Sequence, residues 1–134
     1  MAGYSKRSLV DKLGIKPGHK LIFIGAPDGY DQTLGELPEG VTQTQSLRGA
    51  FDFIHYFTTS RTDFERKFPT LKEHLHKQGM LWISWPKGAS KIKTDLNENI
   101  IRDIGLANGL VDVKVAAIDD DWSGLKFVYR LKDR

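Results

Sequence analysis

Three short apolar runs constrain this chain more than any other feature: LIFI at residues 21–24, FDFIHYF at Phe51–Phe57 and MLWISW at residues 80–85. A strand with one face in water alternates apolar and polar side chains. Runs that do not alternate belong to strands covered on both faces, the inner strands of a largely parallel sheet flanked by helices.

The segments between these runs read as helices. In SKRSLVDKLG, Leu9, Val10 and Leu13 share one side, which predicts a helix over residues 5–13 stopped by Gly14. After the second run, Thr62 and Glu65 have capping-box spacing, and Phe64, Phe68, Leu71 and Leu75 recur at helical intervals. Pro69 should kink or restart that helix, and Gly79 should end it. After the third run, Asp95 and Glu98 repeat the capping spacing, followed by a stripe of Leu96, Ile100, Ile104 and Ala107 and a stop at Gly109. Residues 30–46 are less legible, with a short, weakly patterned helix, breakers Pro38 and Gly40, and an edge strand at 41–45 that could also pair with a second copy. LVDVKVAAID and LKFVYRLK, joined by DDWSG, close the chain as an antiparallel pair. The order predicts an α/β class, a three-layer sandwich with a mostly parallel sheet and a C-terminal antiparallel hairpin.

Composition narrows the function classes. The 134 residues suit one domain spanning 1–134. The absence of cysteine removes disulfides, thiolate nucleophiles and cysteine metal sites. No run is long enough for a membrane helix and the N-terminus lacks an apolar signal core, so the expected location is cytoplasmic. A net charge of +3 falls short of the concentrated charge of a dedicated nucleic-acid binder, so nucleic acid is disfavoured as a partner.

In an open α/β sheet the loops after the parallel strands meet at one rim, the usual ligand crevice. Here those loops are GAPDGY, TTSR, PKGASKIKT and DDDWS. Lys87, Lys91 and Lys93 precede a helix start, where an anion is favoured. They could hold a phosphate or carboxylate, form a plain solvated loop, or pair with Asp119, Asp120 and Asp121. Trp82 and Trp85 point to opposite faces of their strand, Trp82 to the core, while Trp85, at the strand's end beside Pro86, could line a pocket or stack on a base. Asp28 and Tyr30 are candidate pocket residues whose other role is to stabilise the turn. Consecutive aspartates rarely converge on one ion, so no metal site is assigned. His55 shares a face with Phe53 and Phe57, as a core histidine needing a partner. None of the four histidines forms a triad with Ser60, Ser84 or Ser90, so no catalytic residue is assigned.

Several stretches resemble a known family. LGIKPGHKLIFIG is similar to the lead-in and first strand of class I S-adenosylmethionine (SAM) dependent methyltransferases, FDFIHYF to their fourth strand, and LKEHLHKQGMLWIS to the helix and fifth strand that follow. The terminal hairpin resembles their last two strands. The whole chain, through WPKGASKIKTDLN and AIDDDWSGLKF, also resembles a family of small bacterial proteins known only as a domain of unknown function. The resemblance implies a trimmed Rossmann-like methyltransferase fold, with SAM as the implied cofactor. Two departures stand out. The glycine-rich turn reads GAPDG, keeping Gly25 and Gly29 but placing Pro27 between them, and VTQTQSLRG lacks the acidic residue that binds the ribose in the family.

The departures favour a non-catalytic binding or accessory protein, holding a small anionic ligand or a protein partner at the rim. Its site would comprise Gly25, Asp28, Gly29, Tyr30, Trp85, Lys87, Lys91 and Lys93, with no cofactor assigned. The alternative is a SAM-dependent methyltransferase with an atypical cofactor turn.

Overall fold

A computed structural model describes residues 8–134. The elements run α1 (Leu9–Leu13), β1 (Lys20–Ile24), α2 (Tyr30–Leu34), β2 (Thr42–Thr44), β3 (Phe51–Phe57), α3 (Arg61–Glu73), β4 (Leu75–Pro86), α4 (Glu98–Ala107), β5 (Leu110–Ala117), β6 (Trp122–Tyr129) and a closing 3₁₀ turn, Leu131–Asp133. The six strands form one sheet in the order β2-β1-β3-β4-β6-β5. The first four are parallel, and β6 runs antiparallel to both β4 and β5. This is the expected sandwich with its antiparallel ending. Only a short loop separates β2 from β3.

The alternation of side chains along the inner strands builds two cores. On one face Phe53, Phe57 and Trp82 pack with Leu13 of α1 and with Tyr30 and Leu34 of α2. On the other, Ile54, Leu81, Ile83 and Trp85 pack with Phe64 and Phe68 of α3 and Ile101 and Ile104 of α4. Trp82 and Trp85 thus face opposite ways, as their spacing requires. Trp82 is anchored by its indole N–H, which donates to the Leu13 carbonyl (2.8 Å). Two-sided burial holds for β3 and the end of β4, whereas Phe23 and Ile24 of β1 are only partly buried.

Several boundaries differ from the sequence expectations. Of the first helix, residues 5–7 lie outside the described residues. From Ser8 on, the Ser8 hydroxyl accepts from the Asp11 N–H, and Gly14, at φ 90°, ends the helix as expected. Helix α3 is capped by Ser60, whose hydroxyl accepts from Asp63 N–H, and not by Thr62. It continues through Pro69, whose exposed position leaves the unbonded carbonyl of the preceding turn open to water.

That helix also stops well before Gly79. Phe51 donates its N–H to the His74 carbonyl (2.8 Å), and Leu75 pairs with Phe51 while Met80 pairs with Phe53, so β4 starts early and bulges. Gly79 sits within this bulge, where an added Cβ would lie 2.8 Å from the Phe51 carbonyl oxygen. Its role is close strand approach, not helix termination.

Helix α4 begins at Glu98 with Asn97 as its cap, the Asn97 side chain accepting from Ile100 N–H (2.9 Å). Among the described residues no helix is long and apolar enough to cross a membrane.

Candidate functional site

The chain leaves β1 for β2 on one side and reaches β3 on the other, so the sheet's topological switch point lies at the carboxyl ends of β1 and β3. In open α/β sheets that crevice is where ligands bind. The turn after β1 borders it. Gly25 has φ 72°, and a Cβ there would come within 2.8 Å of the Phe57 carbonyl oxygen, so glycine is required by the approach of β1 to β3. Gly29 has φ 83°, which turns the backbone into α2, and space remains beside it. Pro27 takes part through its carbonyl, which accepts from Tyr30 N–H (3.1 Å). Around the turn lies a cavity of about 370 Å³ lined by residues 26–32, including Asp28, Asp31 and Gln32.

Tyr30 lines that cavity but is turned inward and buried. Its hydroxyl lies 2.6 Å from His55 Nδ1, and His55 Nε2 lies 2.7 Å from Ser84 Oγ. All three side chains are buried, and the His55 ring stacks on Phe57 at 4.1 Å between centroids. Burial pushes His55 down to about 3, so its imidazole is neutral, one nitrogen donating and the other accepting. Burial, with the Asp31 charge, raises Tyr30 and keeps it a phenol. The chain of three ties α2 to β3 and β4, and it supplies the partner that the core histidine required. Spacings of 25 and 29 residues carry no local signal, so this chain was invisible in the sequence.

Two strands along the rim, at the end of β4, lies a second cavity, of about 540 Å³. Trp85 and Pro86 form its base, and Lys87, Gly88, Ile92, Lys93, Thr94, Leu96 and Asn97 complete it. Trp85 thus lines a cavity, one of the roles read for it, and is at the same time packed into the core, which its sequence position did not announce. Lys91 does not line the cavity, so of the three lysines only Lys87 and Lys93 come together there. Among the described residues none of the three makes an ion pair, with Asp119, Asp120 and Asp121 or with any other acid.

Three of the neighbouring acids, Asp119, Asp95 and Glu98, are engaged elsewhere. Asp119 Oδ1 accepts from the N–H groups of Asp121 (2.8 Å) and Trp122 (2.9 Å), which shapes the hairpin turn. Asp95 Oδ1 accepts from Arg61 N–H (2.8 Å) at the start of α3, so it caps a different helix from the one its spacing suggested. Glu98 is paired with Arg102. Two further bonds hold the loop. The Thr94 hydroxyl donates to the Thr59 carbonyl (2.7 Å) and Lys87 N–H to the Asp121 carbonyl (2.8 Å), while Thr58 N–H, donating to the Ser84 carbonyl (3.1 Å), ties the end of β3 to β4. Thr94, Asn97 and Ile92 were not singled out from the sequence, because nothing local distinguishes a loop residue that meets a distant loop, and Leu96, read as part of the helix stripe, is buried in the loop before α4.

No protein-family model matches the chain, and no curated protein matches it by sequence. The narrower resemblance to a domain of unknown function therefore gains no support. Solved structures do match. The ribosomal protein L11 methylase of Lactobacillus delbrueckii subsp. bulgaricus aligns with TM-score 0.60 and 14% identity, over 91% of this chain and 75% of its own. The magnesium protoporphyrin IX methyltransferase of Synechocystis PCC 6803 with bound SAM gives 0.60 and 16%, over 91% and 74%. Aeropyrum pernix fibrillarin with natively bound SAM gives 0.60 and 11%, over 87% and 69%. At these identities the likeness establishes the fold, a Rossmann-like methyltransferase fold. It also corrects the expectation of a non-catalytic binding or accessory protein, because the structures sharing this fold favour the alternative reading.

Proposed function

We propose that this chain is a SAM-dependent methyltransferase with an atypical cofactor turn. The observation that carries the reading is the open cavity around residues 26–32, placed at the switch point of a sheet whose fold matches SAM-bound enzymes. The residues present fit the cofactor's groups in kind. The N–H groups of Asp28 and Gly29 donate to no competing acceptor among the described residues and suit its carboxylate. The carboxylates of Asp28 and Asp31 suit its ammonium and hydroxyl groups, in place of the missing acid after β2, and the Gln32 amide can add to them. When bound, SAM supplies an electrophilic methyl group and leaves as a neutral thioether.

The rim carries no histidine among the described residues. His55 is sealed in the core, and His19, His74 and His76 lie near the opposite ends of the strands. The chain's contribution is therefore positioning, aligning an acceptor that is already nucleophilic with the methyl carbon. Pro27 removes one donor from the turn, and the Tyr30–His55–Ser84 chain compensates by holding α2 to the sheet.

Isothermal titration with SAM and S-adenosylhomocysteine tests the reading. The expected result is one site with Kd of about 10 μM or tighter, lost on Asp28→Ala with Asp31→Ala. No binding by the wild-type chain, nor by Pro27→Gly, would overturn it.

A further inference from the structure

The cavity at the end of β4 lies two strand positions along the rim from the cofactor turn and toward the other face of the sheet, since Trp85 and Leu96 belong to the core under α3 and α4 and Tyr30 to the core under α1 and α2. Its volume of about 540 Å³ is in the small-molecule range. Its walls combine two kinds of surface. Trp85, Ile92 and Leu96 provide an apolar base, with Ile92 37% exposed, while Lys87 and Lys93 stand at the edge without an ion pair among the described residues.

Internal neutralisation would need an acid paired with one of these lysines, and none is: Asp95 and Asp119 accept backbone N–H bonds, Glu98 pairs with Arg102, and the carboxylates of Asp120 and Asp121 form no ion pair with Lys87 or Lys93. The loop is also pinned to two neighbouring loops through Thr94, Asp95 and Lys87, so the cavity is formed before anything enters it.

We infer that this cavity holds the methyl acceptor, and that the acceptor is a small planar apolar body bearing one acidic group, a carboxylate or phosphate. This rests on the methyltransferase reading above. The apolar body lies on Trp85, Ile92 and Leu96, and the acidic group is the handle that Lys87 and Lys93 grip by charge-assisted hydrogen bonds. The handle fixes the orientation of the acceptor in the cavity.

The probe is 8-anilinonaphthalene-1-sulfonate, an aromatic anion whose fluorescence rises in apolar surroundings, titrated into the intact chain. One-to-one binding is expected in the wild type, with Lys87→Gln/Lys93→Gln weakening it about tenfold or more and leaving the melting temperature unchanged. Lys91→Gln, outside the lining, changes it about twofold at most. Both 1-naphthoate and 1-naphthyl phosphate should displace the probe, their relative strength reporting the acidic group preferred, while 1-naphthylmethanol should not.

Undiminished binding by the double variant, or equal displacement by the neutral alcohol, overturns the acidic handle. S-adenosylhomocysteine is titrated in parallel. If it binds while the probe shows no lysine dependence, the acceptor class falls and the methyltransferase reading stands. If the probe is lysine-dependent and S-adenosylhomocysteine does not bind, the anion site stands, and its role as acceptor site falls with the enzyme reading.

Discussion

His55 shows how one residue's chemistry is decided by what surrounds it. In the unfolded chain its imidazole takes a proton near pH 6.5, but in the fold it does so only near pH 3, because burial disfavours the charge. The folded chain therefore keeps its full stability above about pH 6.5. Between there and about pH 3 the unfolded state binds the proton and the native state does not, so stability falls with falling pH, by at most about 1.4 kcal/mol per unit. Urea unfolding at about pH 7.5 and about pH 5 should show this loss in the wild type, and His55→Leu should lack it while being less stable at the higher pH. Tyr30→Phe leaves a buried nitrogen without its partner and should cost about 1–3 kcal/mol. That His55 belongs to the core was legible from its place among Phe53 and Phe57. Its bonds to Tyr30 and Ser84 were not, since they join three separate elements.

The elements themselves were set largely by local pattern, and their ends by tertiary contacts. Asp95 has the spacing of a cap for the helix that follows it, yet it caps α3, more than thirty residues earlier in the chain, while Asn97 takes the nearer role. Asp95→Ala should therefore destabilise the protein by about 0.5–2 kcal/mol by uncapping α3, with Asp95→Asn retaining most of the stability in thermal or urea melts. Gly105 lies inside α4, where glycine is normally a cost. An added Cβ would sit 2.0 Å from the Phe127 ring, so the helix packs on β6 only because this side chain is missing. Gly105→Ala should lose about 1–3 kcal/mol by overpacking despite its better helix propensity, measurable as a lower urea midpoint. Gly79 makes the same point for a strand. Its sequence position marked a boundary, but the bulge opposite Phe51 decided which one.

At the scale of the molecule, function depends on which loops the sheet order brings together. A ligand bound at the rim adds to the free energy of the whole fold, so S-adenosylhomocysteine at one hundred times its Kd should raise unfolding stability by about 2.7 kcal/mol, seen as an upward shift in melting temperature. No shift at saturation would count against the cofactor site. The sequence alone determined the class of fold, because unbroken apolar runs can be buried only between two helical layers and because the closing β-rich pair is too close in sequence for a crossover. It also located the turn at residues 25–29 and the lysine loop, since both follow strands that had to be parallel. Tertiary structure alone decided that Lys87 and Lys93 share a cavity while Lys91 does not, that no acid forms an ion pair with them, and that Tyr30 turns into the core. Those outcomes depend on contacts between loops distant in the chain, and no local period or spacing encodes which hydrogen-bond partner a side chain meets across the sheet.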